Sequence, residues 1–410
     1  MSTGKSKNFS KKVKDSENWK EAEMIYSDLH AELSMPPILR LGEPMSLKEI
    51  NTMLNDMIEA CDAFYPAYME RGARNIFYDY KAAEKDLDLG FEIFLQVADK
   101  ATIKDEFDSF SESLEKKWRW DLIAKYGKEM IYLDPHNALY YDITSNALSM
   151  LGNKNESIKL GEKAVELAPN NTYYTNNLGF NYMLFNHLDK AAKMLERSVN
   201  IDPEHKHAEN NLEECNYLQK HKLTLKDYYL SPSDPDIIEE LSEEDEWEEI
   251  DKLIAKYNFQ KKLMFQFLTA HKYIYKDYPH ARLYSTLEPF FRFASTLEQS
   301  YLLNEDIDFF NDYFRAIIHK FIFKHADVDD EILQKIFDGI LLYYRFLTEH
   351  GATDKNKFLD FEETISGMRD EMFTKMHRYN EIRHDYSISD EEKENIRNEL
   401  FEGDHLWQML

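Results

Sequence analysis

Three phrases decide the fold: MIYLDPHN at 130–137, AVELAPNN at 164–171 and SVNIDPEH at 198–205. Each is the apolar end of a helix followed by a small or acidic residue, a proline and a polar pair. Pro135, Pro169 and Pro203 stand 34 residues apart. Proline cannot continue a helix interior, so each phrase closes one unit and opens the next. A fixed period of this length marks an array of helical units that bury their apolar faces against one another.

Within 172–205 the unit carries Leu178-Gly179, Tyr182, Ala191, Leu195 and Pro203, with Ser198 in an otherwise small-residue position. This pattern resembles the tetratricopeptide repeat (TPR) family, whose helix-turn-helix unit is about 34 residues long. The unit at 138–171 keeps Tyr141, Ala164 and Pro169 but has Ser145 where Gly is usual and Ser157 where Ala is usual. Upstream, the unit ending at Pro135 keeps mainly its second helix, and 208–218 reads as a closing helix, so the resemblance covers about 104–220. A further hairpin is expected at 65–98, where Tyr68, Gly72, Ala83 and Gly90 repeat the pattern in a changed register. Small residues at Gly179, Ala191 and Ala164 let paired helices approach. On that reading Gly179→Leu overpacks the contact, whereas Gly179→Ala is tolerated.

Composition agrees with an all-α chain. Only 12 of 410 residues are Gly and 11 are Pro, too few for a turn-dense β-sandwich or barrel. Aromatics are plentiful, with 26 Tyr, 26 Phe and 5 Trp, enough apolar surface to exclude wholesale disorder. Against 50 Lys and Arg stand 77 Asp and Glu, a net charge of −27, which repels a phosphate backbone and argues against nucleic acid as a partner. Two cysteines, Cys61 and Cys215, suit a reducing compartment. The N-terminus has no apolar stretch behind its lysines, and no window of about 18 apolar residues occurs. A cytoplasmic protein without membrane attachment is expected.

Five regions are expected. Residues 1–16, with five Lys and no periodic face, read as a flexible basic tail. Residues 17–103 read as N-terminal helices containing a degenerate repeat, 104–220 as the TPR repeats with their closing helix, and 221–235 as a linker. Residues 236–410 read as an acidic and aromatic-rich α-helical domain that resembles no recognised family. From Asp234 to Asp251 there are eleven acidic residues and no basic one, yet Ile237, Leu241, Trp247, Ile250 and Ile254 keep helical order. Ser242 followed by Asp245 resembles a capping box. Asn304, Asp329 and Asp354 stand near helix starts, and the Tyr and Phe of 273–346 read as core.

No motif for catalysis or for a cofactor is found. The glycines never come closer than the nine residues between Gly152 and Gly161, so a phosphate loop and a dinucleotide fingerprint are excluded. The common zinc and nucleophile-elbow motifs do not occur. His205, His207, Cys215 and His221 cluster, but two helical turns separate His207 from Cys215, and they read as ordinary loop and surface residues. Asp86-Leu-Asp88-Leu-Gly90 hints at a calcium loop, with Gly one place early and Val97 in place of the closing Glu.

What remains is binding by the repeats. The resemblance implies a concave groove lined by one face of each first helix: Leu139, Asp142, Asn146 and Ser149, then Tyr173, Asn176, Phe180 and Met183, then His207 and Asn210. TPRs that clamp a terminal carboxylate use Lys, Asn and Arg here. Asn146 and Asn177 match, but Asp142, Asn210 and Glu214 stand where the basic residues belong, so an anion would meet negative charge. The leading expectation is a non-catalytic scaffold that holds a protein or peptide segment in this groove, with the oligomeric state left open. Two alternatives are an acidic inhibitor that mimics nucleic acid in a basic site, and an enzyme with a site of no known motif in the C-terminal half.

Overall fold

The computed structural model describes residues 9–35, 45–270, 280–297, 302–324, 328–383 and 385–401. Among the described residues every regular element is a helix and no strand occurs. The chain divides into two compact units, Met1–Leu133 and Asp134–Leu410.

The first unit opens with a short 3-10 helix, Lys11–Asp15, followed by α1 (Glu17–Leu33), α2 (Leu47–Ala60), α3 (Tyr65–Asn75), α4 (Tyr80–Val97), α5 (Lys100–Glu115) and α6 (Trp120–Leu133). Part of the stretch expected as a flexible tail is therefore built into the fold. The Phe9 N–H donates to Gln96 at 2.9 Å, and the Lys14 ammonium lies 5.6 Å from the Trp19 ring centre and 5.7 Å from that of Tyr65. Residues 1–8 lie outside the described residues. Ser16 and Asp99 cap α1 and α5, and Ser46 with Glu49 forms a full capping box on α2.

Helices α3 and α4 form a close-packed hairpin over the stretch where a further hairpin is expected at 65–98. A β-carbon on Gly72 would lie 2.7 Å from Leu87 Cγ, and one on Gly90 would lie 3.0 Å from Tyr68 Cβ. Only glycine allows so close an approach. The calcium-loop reading of 86–90 does not survive, because these residues are mid-helix in α4. Asp86 pairs with Arg71 at 2.6 Å, and Asp88 accepts from Lys125 and Tyr126. Phe91, Phe107, Phe110 and Tyr126 join α4, α5 and α6 in one aromatic cluster.

The second unit opens with α7 (Ala138–Met150), α8 (Lys154–Leu167), α9 (Thr172–Leu184), α10 (Leu188–Ile201) and α11 (Lys206–His221). Helices α7, α9 and α11 start at 138, 172 and 206, and α8 and α10 start at 154 and 188, so each pair is one period of 34 from the next. The phrase that sets this period also supplies its caps. Asn137, Asn171 and His205, each closing a phrase, accept the N–H of Leu139, Tyr174 and Ala208. The turn inside each hairpin needs a left-handed residue, Gly152 (φ 74°) and Asn186 (φ 59°), again 34 apart.

Downstream lie α12 (Leu225–Tyr229), α13 (Pro235–Glu243), α14 (Trp247–Thr269), α15 (His280–Leu297), α16 (Ile307–Lys324), α17 (Asp330–Glu349), α18 (Lys355–Arg383) and α19 (Asp390–Phe401). The expected capping box at Ser242 and Asp245 is not formed. Ser242 lies inside α13, Asp245 turns the chain with φ 60°, and Glu246 precedes α14 without a side-chain cap. Asp329 and Asp354 cap α17 and α18 as expected, whereas Asp306, not Asn304, accepts from the start of α16. Among the described residues most of the aromatics expected as core at 273–346 are core, Tyr313 being exposed; Tyr273, Tyr275, Tyr278 and Tyr301 lie outside the described residues. Phe265, Tyr284, Phe291, Phe310, Tyr343 and Tyr344 are buried and linked edge-to-face or tilted at centroid distances of 5.4 to 6.1 Å.

Candidate partner-binding face

Because α7, α9 and α11 start one period apart, they repeat the same places along one face. Side-chain amides bridge them. Asn177 Nδ2 donates to Asp142 Oδ2 at 3.0 Å, Asn211 Nδ2 donates to Asn176 Oδ1 at 2.9 Å, and Asn181 Nδ2 donates to Asn146 Oδ1 at 3.1 Å and Ser145 Oγ at 3.2 Å. Three of these four contacts join residues 35 apart, one more than the period. Each first helix is thus pinned to the next by partly buried groups, with the Asn181–Ser145 contact fully buried, where such bonds are stronger than in water.

This arrangement sorts the ten groove candidates into two sets. Asp142, Ser149, Asn176 and Met183 are buried; Asp142 and Asn176 turn their polar atoms to the neighbouring helix, and Met183 belongs to the core. Tyr173, His207 and Asn210 are exposed, and Leu139, Asn146 and Phe180 are half-buried. Tyr173 is 62% exposed, and its ring meets the His205 ring edge-on at 4.7 Å. Glu214 occupies on α11 the place of Asn146 and Phe180. It accepts from Tyr229 of α12 at 2.6 Å and from Gln260 of α14 at 3.2 Å. The chain itself therefore covers that place, and burial pushes the Glu214 carboxyl above the ordinary range.

Asn181, Asn211, Tyr229 and Gln260 are the residues that sequence reasoning missed. For the two asparagines a signal existed in the 35-residue spacings to Asn146 and Asn176. Tyr229 and Gln260 had none, because they reach α11 through tertiary packing.

Three of the four residues weighed as metal ligands make other contacts, and the fourth, His207, is exposed. His205 Nδ1 accepts from the Ala208 N–H at 3.1 Å, and the His221 ring lies against Tyr217 at 4.2 Å. Cys215 is buried beside the Leu188 carbonyl, and desolvation pushes its thiol up to about 11. Among the described residues no three His, Cys, Asp or Glu side chains are grouped to hold a metal ion. No helix among them is long and apolar enough to cross a membrane.

No family model and no curated protein matches the chain. Solved structures similar to it include YrrB, a TPR protein with an unusual peptide-binding site, at 17% identity over 47% of this chain and 89% of that one, with a TM-score of 0.33. The TPR domain of P58(IPK) is similar at 11% identity over 88% of this chain and 96% of that one, with a TM-score of 0.23.

Proposed function

We propose that the chain is a non-catalytic protein-interaction scaffold whose α7, α9 and α11 hold a segment of a partner protein. The observation that carries this reading is the division of labour on the face. Partly buried amide bridges join the three helices, and beside them stand an exposed tyrosine, a half-buried phenylalanine and exposed polar groups at Asn210 and His207. Aromatic anchors beside amides suit an interface, the ring supplying buried area and the amide fixing register. The acidic Asp142 carboxylate in place of a lysine speaks against capture of a terminal carboxylate.

A second reading, an acidic inhibitor for a basic partner site, is favoured by α13 and the start of α14, where Ile237 and Trp247 are exposed among acidic residues. One experiment separates them. Partner capture from the native host, followed by mass spectrometry, is compared for wild type, Tyr173→Ala with Phe180→Ala, and Ile237→Ala with Trp247→Ala, at low and high salt. Loss of about tenfold in the first variant with little salt dependence supports the face. Capture untouched by that variant, but lost in salt or in the second, overturns it in favour of the acidic segment.

A further inference from the structure

In the first unit a cavity of about 490 Å³ opens between α3 and α5, with Tyr26 of α1 on its wall, a volume in the range of ligand sites. Two of its charged side chains are satisfied within the fold. Glu70 pairs with Arg74 at 2.6 Å and with His30 at 3.0 Å, and accepts from Tyr26 at 2.9 Å. Two others are not.

Glu106 accepts from the Tyr65 hydroxyl at 3.0 Å and has no ion pair among the described residues; the Lys14 ammonium over the Tyr65 ring reaches it only as a field. Lys117 lines the same cavity with no ion pair among the described residues, next to the positive charge of Arg74 and reached by Glu70 only as a field. Both are desolvated. Burial pushes the Glu106 carboxyl up, and burial followed by repulsion from Arg74 and Lys116 pushes the Lys117 ammonium down. They do not pair with each other: Glu106 lies in α5 and Lys117 in the turn just past its end, eleven positions further on, about 16 Å at the helical rise carried through that turn. Met69, Ala73 and Phe110 supply an apolar floor.

We infer that this cavity docks an extended segment of a protein partner that carries a basic and an acidic side chain about five residues apart, the basic one against Glu106 and the acidic one against Lys117. The spacing follows from about 3.3 Å per extended residue over that distance. The fit is one of charge: each end of the segment neutralises a partly desolvated group that has no counter-ion among the described residues. The site is independent of the face in the second unit, and neither needs the other.

The full chain is panned against a library of capped random heptapeptides, and the best peptide is titrated by fluorescence anisotropy. Enriched peptides are expected to pair a basic and an acidic residue at that spacing. Panning against Glu106→Lys should shift the enrichment to two acidic residues. Glu106→Gln and Lys117→Met should each weaken the best wild-type peptide by about tenfold, while Tyr173→Ala with Phe180→Ala leaves it unchanged. Circular dichroism checks the fold of each variant, and because the two cavity variants stand at opposite ends, either suffices if the other fails to fold. No enrichment, enrichment without paired charges, or affinity unmoved by both variants overturns the proposal.

Discussion

A β-carbon placed on Gly179 would stand 2.7 Å from both Cγ and Cδ2 of Leu195, and the same distance separates it on Gly72 from Leu87 Cγ. The contact between the two helices of a hairpin is therefore one design used twice, small against large. In α7 and α8 the contact is small against small, and the large neighbour of Gly161 is Leu178 of α9, whose Cδ1 a β-carbon would meet at 2.9 Å. Gly161 stands in the second helix, and a β-carbon there would also lie 2.9 Å from Ser145 Oγ, which donates to the Ser157 carbonyl at 2.8 Å.

The first prediction is that Gly179→Ala destabilises the protein by about 1 to 3 kcal/mol in urea unfolding. This corrects the expectation from sequence that alanine is tolerated. Helix propensity gains less than about 1 kcal/mol, whereas Leu195 Cγ is a branch point that cannot swing aside. The double variant with Leu195→Ala should cost less than the two single variants together. Unchanged stability in Gly179→Ala would show that the hairpin can open at no cost.

The period, the paired helices and most core positions were legible in the sequence, because Pro135, Pro169 and Pro203 and the glycines obey local rules. Three things were not. The left-handed turn residues Gly152 and Asn186 share a period but not a chemistry, so their common conformation shows only in φ. Asp142 and Asn176 carry polar groups on the expected face, yet whether such a group meets water or the next helix is decided by tertiary packing. The place of Glu214 is covered by α12 and α14, which belong to the region where no repeat could be read.

The second prediction concerns the amide bridges. Asn181 is buried, and its amide serves both Ser145 and Asn146. Asn181→Leu removes the donor and leaves two acceptors unsatisfied, a cost of about 1 to 3 kcal/mol. Asn210→Leu, exposed on α11, should change stability by less than about 0.5 kcal/mol. Equal effects of the two, measured by thermal and urea unfolding, would show that the bridges do not hold the helices together.

The third prediction concerns acid. His319 of α16 is 1% exposed, its Nε2 lies 3.1 Å from Met372 Sδ, and burial, aided by Lys375 and Arg315 and opposed by Glu371, lowers its pKa to about 4. Below about pH 6.5 the unfolded chain gains a proton there that the folded chain refuses until about pH 4. Stability from this group is therefore whole above pH 6.5 and falls through that window, by roughly 3 kcal/mol in all. His319→Gln should flatten the acid limb of stability against pH. Parallel limbs in variant and wild type would show that His319 titrates normally in the folded protein.

The last prediction concerns a buried ion pair that ties the start of the C-terminal helices together. Lys261 of α14, with its side chain 2% exposed, lies 2.8 Å from Glu305 Oε2 and donates to the Ser231 carbonyl at 2.7 Å. The Ser233 N–H donates to Glu305 Oε1 at 2.6 Å. One lysine and one glutamate thus hold the chain at 231–233 and the approach to α16 against the same helix. Taking two charges out of water is costly, and their attraction offsets that cost only while both are present. Lys261→Met leaves a carboxylate buried alone and should cost about 3 to 5 kcal/mol. Adding Glu305→Gln removes the stranded charge while keeping an acceptor for Ser233, so the double variant should recover most of the loss. Urea midpoints of the two single variants and the double variant give the coupling energy directly. Strictly additive losses would show that the two charges are solvated separately and that residues 231–233 are held by packing alone.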